Sequence, residues 1–216
     1  MKDTCILCDF DGTITEKDGL YGFFEEFAMK DWLEVEKLWE SNKISSKECL
    51  KREFECIPDL NSSLIDNYIK QIKIDEYFKG FLAFLKSQNI DFYIVSDGVD
   101  YFINKILQNY EIINVKVISN HFELKNNKFD LTFPYENSNC KKNAGTCKCA
   151  VIKKMKEIYG KIIYIGDGTS DYCAANKADI LFAKEKLAKY CEKNNIDCIK
   201  FTGFNDIHKF LTETQL

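Results

Sequence analysis

The chain has 216 residues, of which 45% are hydrophobic and 30% are charged, with a formal net charge of −4. These values are ordinary for a globular protein with a sizeable core. The scattered basic residues and the slight negative charge argue against a nucleic-acid partner. No apolar segment is long enough for a membrane span, so a membrane partner is not expected. The chain enters a predicted strand directly, without a signal peptide, which favours a cytoplasmic protein.

The first predicted element is a short buried strand that stops at two aspartates. The strand occupies residues 4–8, and Asp9 and Asp11 follow it in the sequence Cys-Asp-Phe-Asp-Gly-Thr. Open α/β sheets bind ligands at the carboxyl ends of their parallel strands. There the side chain of Asp9 and the backbone carbonyl of Asp11 can share one hard cation, while the Asp11 carboxyl handles a proton. This pattern suits phosphoryl transfer through an aspartyl phosphate.

Residues 16–77 change to a helical period and predict a small helical insert after the first strand. One helical face runs through 20–39, a capping box of Ser45 and Glu48 opens a second helix, and 64–72 form a third. The insert leaves the core directly after the aspartate pair. We therefore expect it to be a mobile lid over the site rather than an extra layer of core-covering helices.

The remaining chain predicts a core in which further buried strands end at small or acidic residues. The strand at 92–95 leads into Ser-Asp-Gly, and the strand at 162–165 leads into Gly-Asp-Gly-Thr-Ser-Asp. The expected fold class is α/β: a Rossmann-like parallel sheet with helices on both faces, a β-hairpin, and a small helical cap. The core domain comprises residues 1–15 and 78–216, and the cap domain comprises residues 16–77. The other predicted elements are strands at 115–118, 180–183 and 197–201, a hairpin at 121–133, and helices at 78–88, 101–110, after residue 148, and 206–211.

Four segments in order resemble the motifs of the haloacid dehalogenase superfamily. They are DFDGTIT, IVSDG, the lysine Lys148 at the start of a predicted helix, and GDGTSD. The resemblance covers nearly the whole chain and implies a phosphatase for a small phosphorylated metabolite. A phosphate dianion about 4 Å from a carboxylate is opposed by roughly 8 kcal/mol at an effective dielectric near 20. The site must therefore supply cations, and Mg²⁺ is the implied cofactor.

The resemblance also implies a role for each matching residue. Asp9 is the nucleophile, and Asp11 protonates the leaving oxygen and then activates water. Lys148 supplies a positive charge, with Lys141 and Lys142 as nearby alternatives. Ser96, which could also cap the next helix, and the backbone amides of Asp97 and Gly98 would cradle the phosphate. The implied metal site comprises Asp9, Asp11, Asp167 and Asp171, where Asp171 holds either metal-bound water or the lysine.

The sequence narrows the substrate further. The acid at Asp11 serves a leaving oxygen, which favours a phosphatase over a dehalogenase. The insert places the chain with the phosphoserine-phosphatase-like branch. The cysteine-rich approach to Lys148 is similar to the methionine-salvage family that acts on 2-hydroxy-3-keto-5-methylthiopentenyl-1-phosphate. Asp18 and Arg52 are candidate substrate contacts, and an arginine fork suits a phosphate or carboxylate. The alternatives are another small-metabolite phosphatase, a phosphotransferase, or a metabolite-binding regulator without turnover.

Three of the ten cysteines, Cys140, Cys147 and Cys149, lie close together around Lys148. A zinc- or thiol-based sensor is one interpretation of this group. The spacing is irregular and a fourth ligand is not evident nearby, whereas strong zinc signals come as regular pairs. We therefore expect reduced thiols around a shaped loop.

Overall fold

The computed structural model describes residues 2–140 and 142–214. Within these residues one sheet contains seven strands, in the order β4-β3-β2-β1-β5-β6-β7 along the sheet, and neighbouring strands are parallel except for the antiparallel pair at one edge. The predicted α/β class is confirmed. In chain order the strands are β1 (Lys2–Cys8), β2 (Asp91–Val99), β3 (Lys116–Lys125), β4 (Lys128–Thr132), β5 (Tyr159–Gly166), β6 (Ile180–Ala183) and β7 (Ile199–Lys200).

Helices cover both faces of this sheet. Successive residues of β1 point to opposite faces, so Cys5 and Leu7 pack into one buried cluster while Ile6 and Cys8 pack into the other. Burial on both faces explains why the central strands have continuous apolar sequences. In the described part of the chain, no helix is both long and apolar enough to cross a bilayer. The helices are α1 (Gly19–Phe27), α2 (Trp32–Glu40), α3 (Ser46–Glu55), α4 (Ser62–Ile69), α5 (Phe78–Ser87), α6 (Asp100–Asn109), α7 (Lys148–Met155), α8 (Glu185–Asn194) and α9 (Phe204–Glu213).

The insert contains four helices, α1 to α4, rather than the predicted three. The helical face predicted across 20–39 is interrupted at Ala28, which is extended with ψ 148°. The next residue, Met29, donates its N–H to the carbonyl of Cys56 at 2.9 Å. This tertiary hydrogen bond ties the break to the end of α3, and the periodicity of the local sequence does not encode it. As predicted, Ser45 caps α3 by accepting from the N–H of Glu48 at 3.1 Å.

The two connections between the insert and the core lie side by side. Thr15 and Ile74 form an isolated antiparallel bridge, and the N–H of Asp75 donates to the carbonyl of Ile14 at 2.9 Å. The insert also packs on the core through aromatic rings, with centroids 4.7 Å apart for Phe54 and Phe122. Both contacts hold the insert against the carboxyl-end region of the sheet.

Two predicted strand boundaries were wrong. The strand predicted to end before Ser96 continues to Val99, with a register shift against β3 between Val95 and Val99. The separately predicted strand at 115–118 and the first arm of the hairpin form one strand, β3. That strand pairs with β2 in its first half and with β4 in its second. One local pattern could not show that a single strand changes partner along its length.

Candidate active site

Asp9 and Asp11 lie where the first strand ends. The backbone N–H of Asp9 donates to the carbonyl of Ile165 at 2.9 Å, so β1 and β5 stay paired up to the nucleophile position. The Asp9 side chain is buried, and its Oδ1 accepts from the N–H of Phe10 at 2.8 Å. Asp11 Oδ1 accepts from the N–H of Gly19 at 3.1 Å, at the first residue of α1. The start of the insert thus holds the second aspartate.

Lys148 brings the distant motifs together. Its side chain is only 2% exposed. Its Nζ lies 2.7 Å from Asp9 Oδ2 and 2.6 Å from Asp171 Oδ1, and it donates to Ser170 Oγ at 2.8 Å. A buried ammonium requires this degree of pairing, because an unpaired charge in the core is costly. The prediction placed Lys148 in the site, and the structure joins it to the predicted carboxylates.

Asp167 and Asp171 follow β5 and make different contacts. Asp167 Oδ1 accepts from the hydroxyl of Thr13 at 2.5 Å. Asp171 is fully buried, and both of its carboxylate oxygens accept hydrogen bonds. Its Oδ2 accepts from the N–H groups of Asp167 and Gly168, each at 3.0 Å. Its Oδ1 accepts from Lys148 Nζ and from the Tyr164 hydroxyl, each at 2.6 Å. Four donors therefore surround the Asp171 carboxylate.

Ser96 and Gly98 approach the aspartates from β2. Ser96 is buried, and its Oγ accepts from the N–H of Gly98 at 2.9 Å. A Cβ placed on Gly98 would lie 2.9 Å from Asp11 Oδ2, so only glycine lets the backbone come this close. Ser96 does not cap the following helix, because Val99 occupies the N-cap position of α6.

The Asp97 side chain supports the loop that precedes Lys148. Its Oδ1 accepts from the N–H of Thr146 at 2.9 Å, and Asn120 Nδ2 donates to its backbone carbonyl at 2.6 Å. Thr146 is two residues before the lysine, so this bond positions the start of α7. The contacts of Asp97 therefore give its side chain a structural task beside the phosphate-binding role expected of its backbone.

The two predicted substrate contacts lie in the insert. Asp18 is the N-cap of α1, and its Oδ1 accepts from the N–H of Tyr21 at 2.9 Å. Arg52 is exposed on α3 and forms an ion pair with Glu48, one turn earlier in the same helix. None of the contacts described for Arg52 joins it to the aspartate cluster.

Burial dominates the electrostatics of this site. It raises the pKa of Asp9 well above the usual range, and the neighbouring Asp171 raises it further. Burial followed by the charge of Asp18 raises the pKa of Asp11 to about 8. Burial also raises the pKa of Asp167 to about 6, opposed by its bond from Thr13. Burial alone would lower the pKa of Lys148, but Asp171 and Asp9 raise it above its ordinary value.

The carboxylates have the chemistry and spacing for a divalent cation. Oxygens of Asp9, Asp167 and Asp171 lie within 4.8 Å of one another. Four carboxyl groups, counting Asp11, lie near two ammonium groups: Lys148 contacts Asp9 and Asp171. The Lys184 Nζ donates to the carbonyl of Thr13 at 3.3 Å and adds positive charge near Asp167. When all four carboxyl groups are ionised, a surplus of negative charge remains. Oxygen ligands are those that Mg²⁺ prefers, and a divalent cation would offset this surplus. The residues therefore fit the predicted Mg²⁺ site.

A second compact group of metal-type ligands, Glu36, Cys49 and Glu53, lies in the insert. Among the described residues, the predicted trio Cys140, Cys147 and Cys149 does not form such a compact group. All three are free cysteines.

Sequence reasoning missed three side chains that hold the site together: Thr13, Tyr164 and Ser170. Thr13 and Ser170 lie inside the motifs, but residue type marks only the neighbouring aspartates as metal ligands or proton carriers. Tyr164 lies in a strand that is otherwise apolar. A signal was present, because a fully buried tyrosine normally places its hydroxyl on a partner.

Known proteins share this fold and these motifs. Residues 6–176 match the haloacid dehalogenase-like hydrolase family. The chain is 33% identical over 216 residues to a Bacillus cereus protein named 2-hydroxy-3-keto-5-methylthiopentenyl-1-phosphate phosphatase, with 98% of each chain covered. A Bacillus velezensis protein of the same name is 32% identical over 204 residues, covering 94% of this chain and 87% of the relative.

Solved structures of phosphoserine phosphatase show the same fold. One, described as a phospho-aspartyl intermediate analogue, has a TM-score of 0.73 at 23% identity and covers 97% of this chain and 99% of its own. A substrate-bound phosphoserine phosphatase complex has a TM-score of 0.71 at 21% identity, covering 97% and 98%. Fold and site together define a hydrolase of phosphate esters that is built on a parallel α/β sheet. The chain belongs to the haloacid dehalogenase-like hydrolase family and is a phosphatase of that family.

Proposed function

We propose that this phosphatase hydrolyses a small phosphate monoester through an aspartyl phosphate on Asp9, with Mg²⁺ as cofactor. We further propose that the substrate is 2-hydroxy-3-keto-5-methylthiopentenyl-1-phosphate of methionine salvage. One observation carries the chemistry: Lys148 Nζ bridges Asp9 and Asp171 beside Asp167, at the carboxyl ends of β1 and β5. The substrate assignment is supported by relatives of that name over nearly the full chain.

Asp9 is the residue best placed to attack phosphorus. The N–H of Phe10 fixes one of its oxygens and Lys148 holds the other, so the carboxylate has a defined direction. Burial and the neighbouring Asp171 raise the pKa of Asp9, so its carboxylate form needs nearby positive charge. When bound, Mg²⁺ supplies positive charge that keeps Asp9 and Asp167 ionised and polarises the phosphate. The Lys148 ammonium screens the approach of the dianion from the other side.

Asp11 is suited to proton transfer. A pKa of about 8 leaves its carboxyl protonated at neutral pH, where it can give a proton to the leaving oxygen. The resulting carboxylate can then take a proton from the water that attacks the phosphoaspartate. Gly19 N–H fixes one Asp11 oxygen, and the other faces Gly98. The acid is therefore directed by the first residue of the insert.

Asp171 is better suited to hold Lys148 than to bind the metal. Each of its two oxygens already accepts two hydrogen bonds, from the lysine, Tyr164 and two backbone N–H groups. A metal would have to replace a donor at one of these oxygens. We therefore propose Asp9, Asp167 and the Asp11 backbone carbonyl as the protein ligands of Mg²⁺, with Asp171 as the positioning residue for the lysine.

The insert at 16–77 is proposed to act as a cap that closes over the substrate. Its adjacent connections at Thr15 and Ile74 provide a narrow attachment to the core. Asp18 and Arg52 are carried by this cap and are retained as proposed substrate contacts. Arg52 would have to leave its ion pair with Glu48 to reach a substrate.

The test is release of inorganic phosphate from three compounds: the methionine-salvage substrate, phosphoserine and an aryl phosphate. We expect Mg²⁺-dependent release, with the methionine-salvage substrate preferred and activity abolished by chelator. Asp9→Asn should lower kcat/KM by about 10³-fold or more. Asp130→Asn, which changes an exposed carboxylate on β4, is the matched control and should retain activity.

Each alternative gives a different result. Transfer of the phosphoryl group to an organic acceptor, in place of release as free phosphate, would support a phosphotransferase, and binding without turnover would support a regulator. A preference for phosphoserine would overturn the substrate proposal alone. Full activity of Asp9→Asn would remove Asp9 as the nucleophile.

A further inference from the structure

Four cysteine thiols form a row beside the catalytic lysine, outside the proposed chemistry. Cys147 Sγ lies 4.0 Å from Cys149 Sγ. The thiol of Cys140 neighbours that of Cys147, and the thiol of Cys173 neighbours that of Cys149. All four are free cysteines. The fold thus adds Cys173, which lies 24 positions after Cys149, to the trio noted in the sequence.

Within this row, Cys149 and Cys173 form the accessible pair. Cys173 is exposed and Cys149 is partly exposed, whereas Cys147 is only 2% exposed. A disulfide between Cys147 and Cys149 would close a ring around a single residue and strain the bond. A disulfide between Cys149 and Cys173 instead joins two segments that already pack together. Oxidation should therefore pair Cys149 with Cys173.

A cavity of about 730 Å³ gives a small oxidant access to this pair. All four thiols of the row line it, together with Lys142 and Lys177. Positive charge at the wall favours an anionic reagent. Glutathione disulfide is such a reagent, because its carboxylates outnumber its ammonium groups.

The pair is placed to affect the active site. Cys149 adjoins Lys148 in the first turn of α7, and Cys173 follows Asp171 by two residues. The hydrogen bond from Lys148 to Ser170 and the ion pair of Lys148 with Asp171 join these same two segments. Disulfide sulfurs lie about 2 Å apart, much closer than two thiols in contact. Bond formation must therefore draw the first turn of α7 toward the segment after β5 and displace the lysine.

We propose that Cys149 and Cys173 form a reversible disulfide that inactivates the phosphatase. The Cys173 sulfur attacks glutathione disulfide, which forms a mixed disulfide and releases one glutathione. The Cys149 sulfur then attacks the Cys173 sulfur and releases the second glutathione. The two thiols lose two protons and two electrons, and one glutathione disulfide becomes two molecules of glutathione. The effect on activity rests on the proposed function, whereas the bond itself does not.

Peptide mapping tests the bond independently of activity. Trypsin cleaves after Lys148, Lys153, Lys161 and Lys177, which separates Cys149 in peptide 149–153 from Cys173 in peptide 162–177, while Cys147 stays in peptide 143–148. After treatment with glutathione disulfide, we expect these first two peptides to be linked and the protein to be lighter by two hydrogen atoms. A link to peptide 143–148, or glutathione retained on a single cysteine without a link, would overturn the proposal.

Activity measurements on the full chain test the consequence. Oxidation should lower kcat/KM on an aryl phosphate by about 10-fold to 100-fold, as expected for a displaced catalytic group, and dithiothreitol should restore it. Cys173→Ser and Cys149→Ser should keep their basal activity and resist oxidation. Cys56→Ser, which changes a partly exposed cysteine of the insert, should remain as sensitive as the parent. If glutathione disulfide inactivates Cys173→Ser and Cys173→Ala as strongly as the parent, the result would contradict the switch. If peptide mapping finds the link in the oxidised protein but the reduced protein shows no turnover, the result would count against the proposed function alone.

Discussion

The hydroxyl of Tyr164 donates to Asp171 Oδ1 at 2.6 Å, and both side chains are completely buried. The same oxygen accepts from Lys148 Nζ at 2.6 Å. A tyrosine in the middle of β5 therefore fixes the carboxylate that orients the lysine. Tyr164 in the hydrophobic core and Lys148 in the charged cluster therefore share one oxygen of Asp171.

Tyr164→Phe should destabilise the protein by about 2 kcal/mol, since it removes a hydrogen bond to a buried charged group. It should also lower kcat by several fold, because Asp171 and Lys148 lose one of their restraints. Urea unfolding and phosphate release provide the two measurements. Tyr172→Phe alters a partly exposed tyrosine near the same segment and should change stability by less than about 0.5 kcal/mol. Equal stability of the two variants would show that the Tyr164 hydroxyl contributes nothing to the network.

The sequence located the carboxyl ends of β1 and β5 but not the network between them. Asp9, Asp11, Asp167 and Lys148 were predicted because strand ends and motif order place them at one edge of the sheet. Lys148 was one of the two predicted partners of Asp171, but the hydrogen bond from Tyr164 was not predicted, because it depends on the twist and depth of β5. The hydrogen bond from Lys148 to Ser170 was missed for the same reason. Apolar patterning shows that a tyrosine is buried without showing where its hydroxyl points.

The insert shows the same limit. Its helical content was predictable from periodicity and from the capping box at Ser45. The break at Ala28 was not, since it is held by the hydrogen bond from Met29 to Cys56, the residue that follows α3. Arg52 illustrates the reverse case: residue type suggested an anion-binding role, whereas the structure pairs Arg52 with its helical neighbour Glu48.

Lys148 was selected over its neighbours in the sequence, and a matched pair of substitutions tests that choice. Lys148→Met should lower kcat/KM by about 10³-fold, since the phosphate dianion would then meet the carboxylates without the ammonium. It should also cost about 3 to 5 kcal/mol of stability, because Asp9 and Asp171 lose their buried partner. Lys142→Met changes an exposed lysine of the preceding loop and should alter neither quantity appreciably. If Lys142→Met loses activity and Lys148→Met does not, the catalytic role belongs to Lys142.

The raised carboxyl pKa values predict how Mg²⁺ affects stability. The pKa of Asp11 is raised from 3.8 to about 8 and that of Asp167 from 3.8 to about 6, both chiefly by burial. At a pH between its unfolded and folded pKa values, each carboxyl group has lost its proton in the unfolded chain and still holds it in the folded chain. The stability of the metal-free protein should therefore fall as pH rises from about 4 to about 8, by at most about 1.4 kcal/mol per pH unit for each group.

Mg²⁺ should reverse this loss, because it binds the ionised carboxylates of the folded state. The increase in melting temperature on adding Mg²⁺ should be larger at pH 8 than at pH 5. Asp167→Asn should lose most of this increase, whereas Asp130→Asn should keep it. An increase that is independent of pH, or one that survives in Asp167→Asn, would place the bound ion elsewhere.

The pair Glu36 and Glu53 in the insert gives a further prediction of the same sign. Glu53 is only 6% exposed, and burial, together with its hydrogen bond to Glu36, raises its pKa from 4.5 to about 9. At neutral pH Glu53 is therefore protonated and donates to Glu36. The stability that this proton provides is complete below about pH 4.5 and is lost progressively as pH rises toward 9.

Glu53→Gln should remove this pH dependence, because an amide keeps a donor toward Glu36 and has no proton to release. Relative to the parent, the variant should gain stability steadily between pH 5 and pH 9, as measured by urea unfolding in the absence of divalent ions. Glu55→Gln, which changes an exposed glutamate on the same helix, should run parallel to the parent at every pH. If Glu53→Gln also runs parallel, then Glu53 is ionised in the folded protein, and the two carboxyl groups do not share a proton.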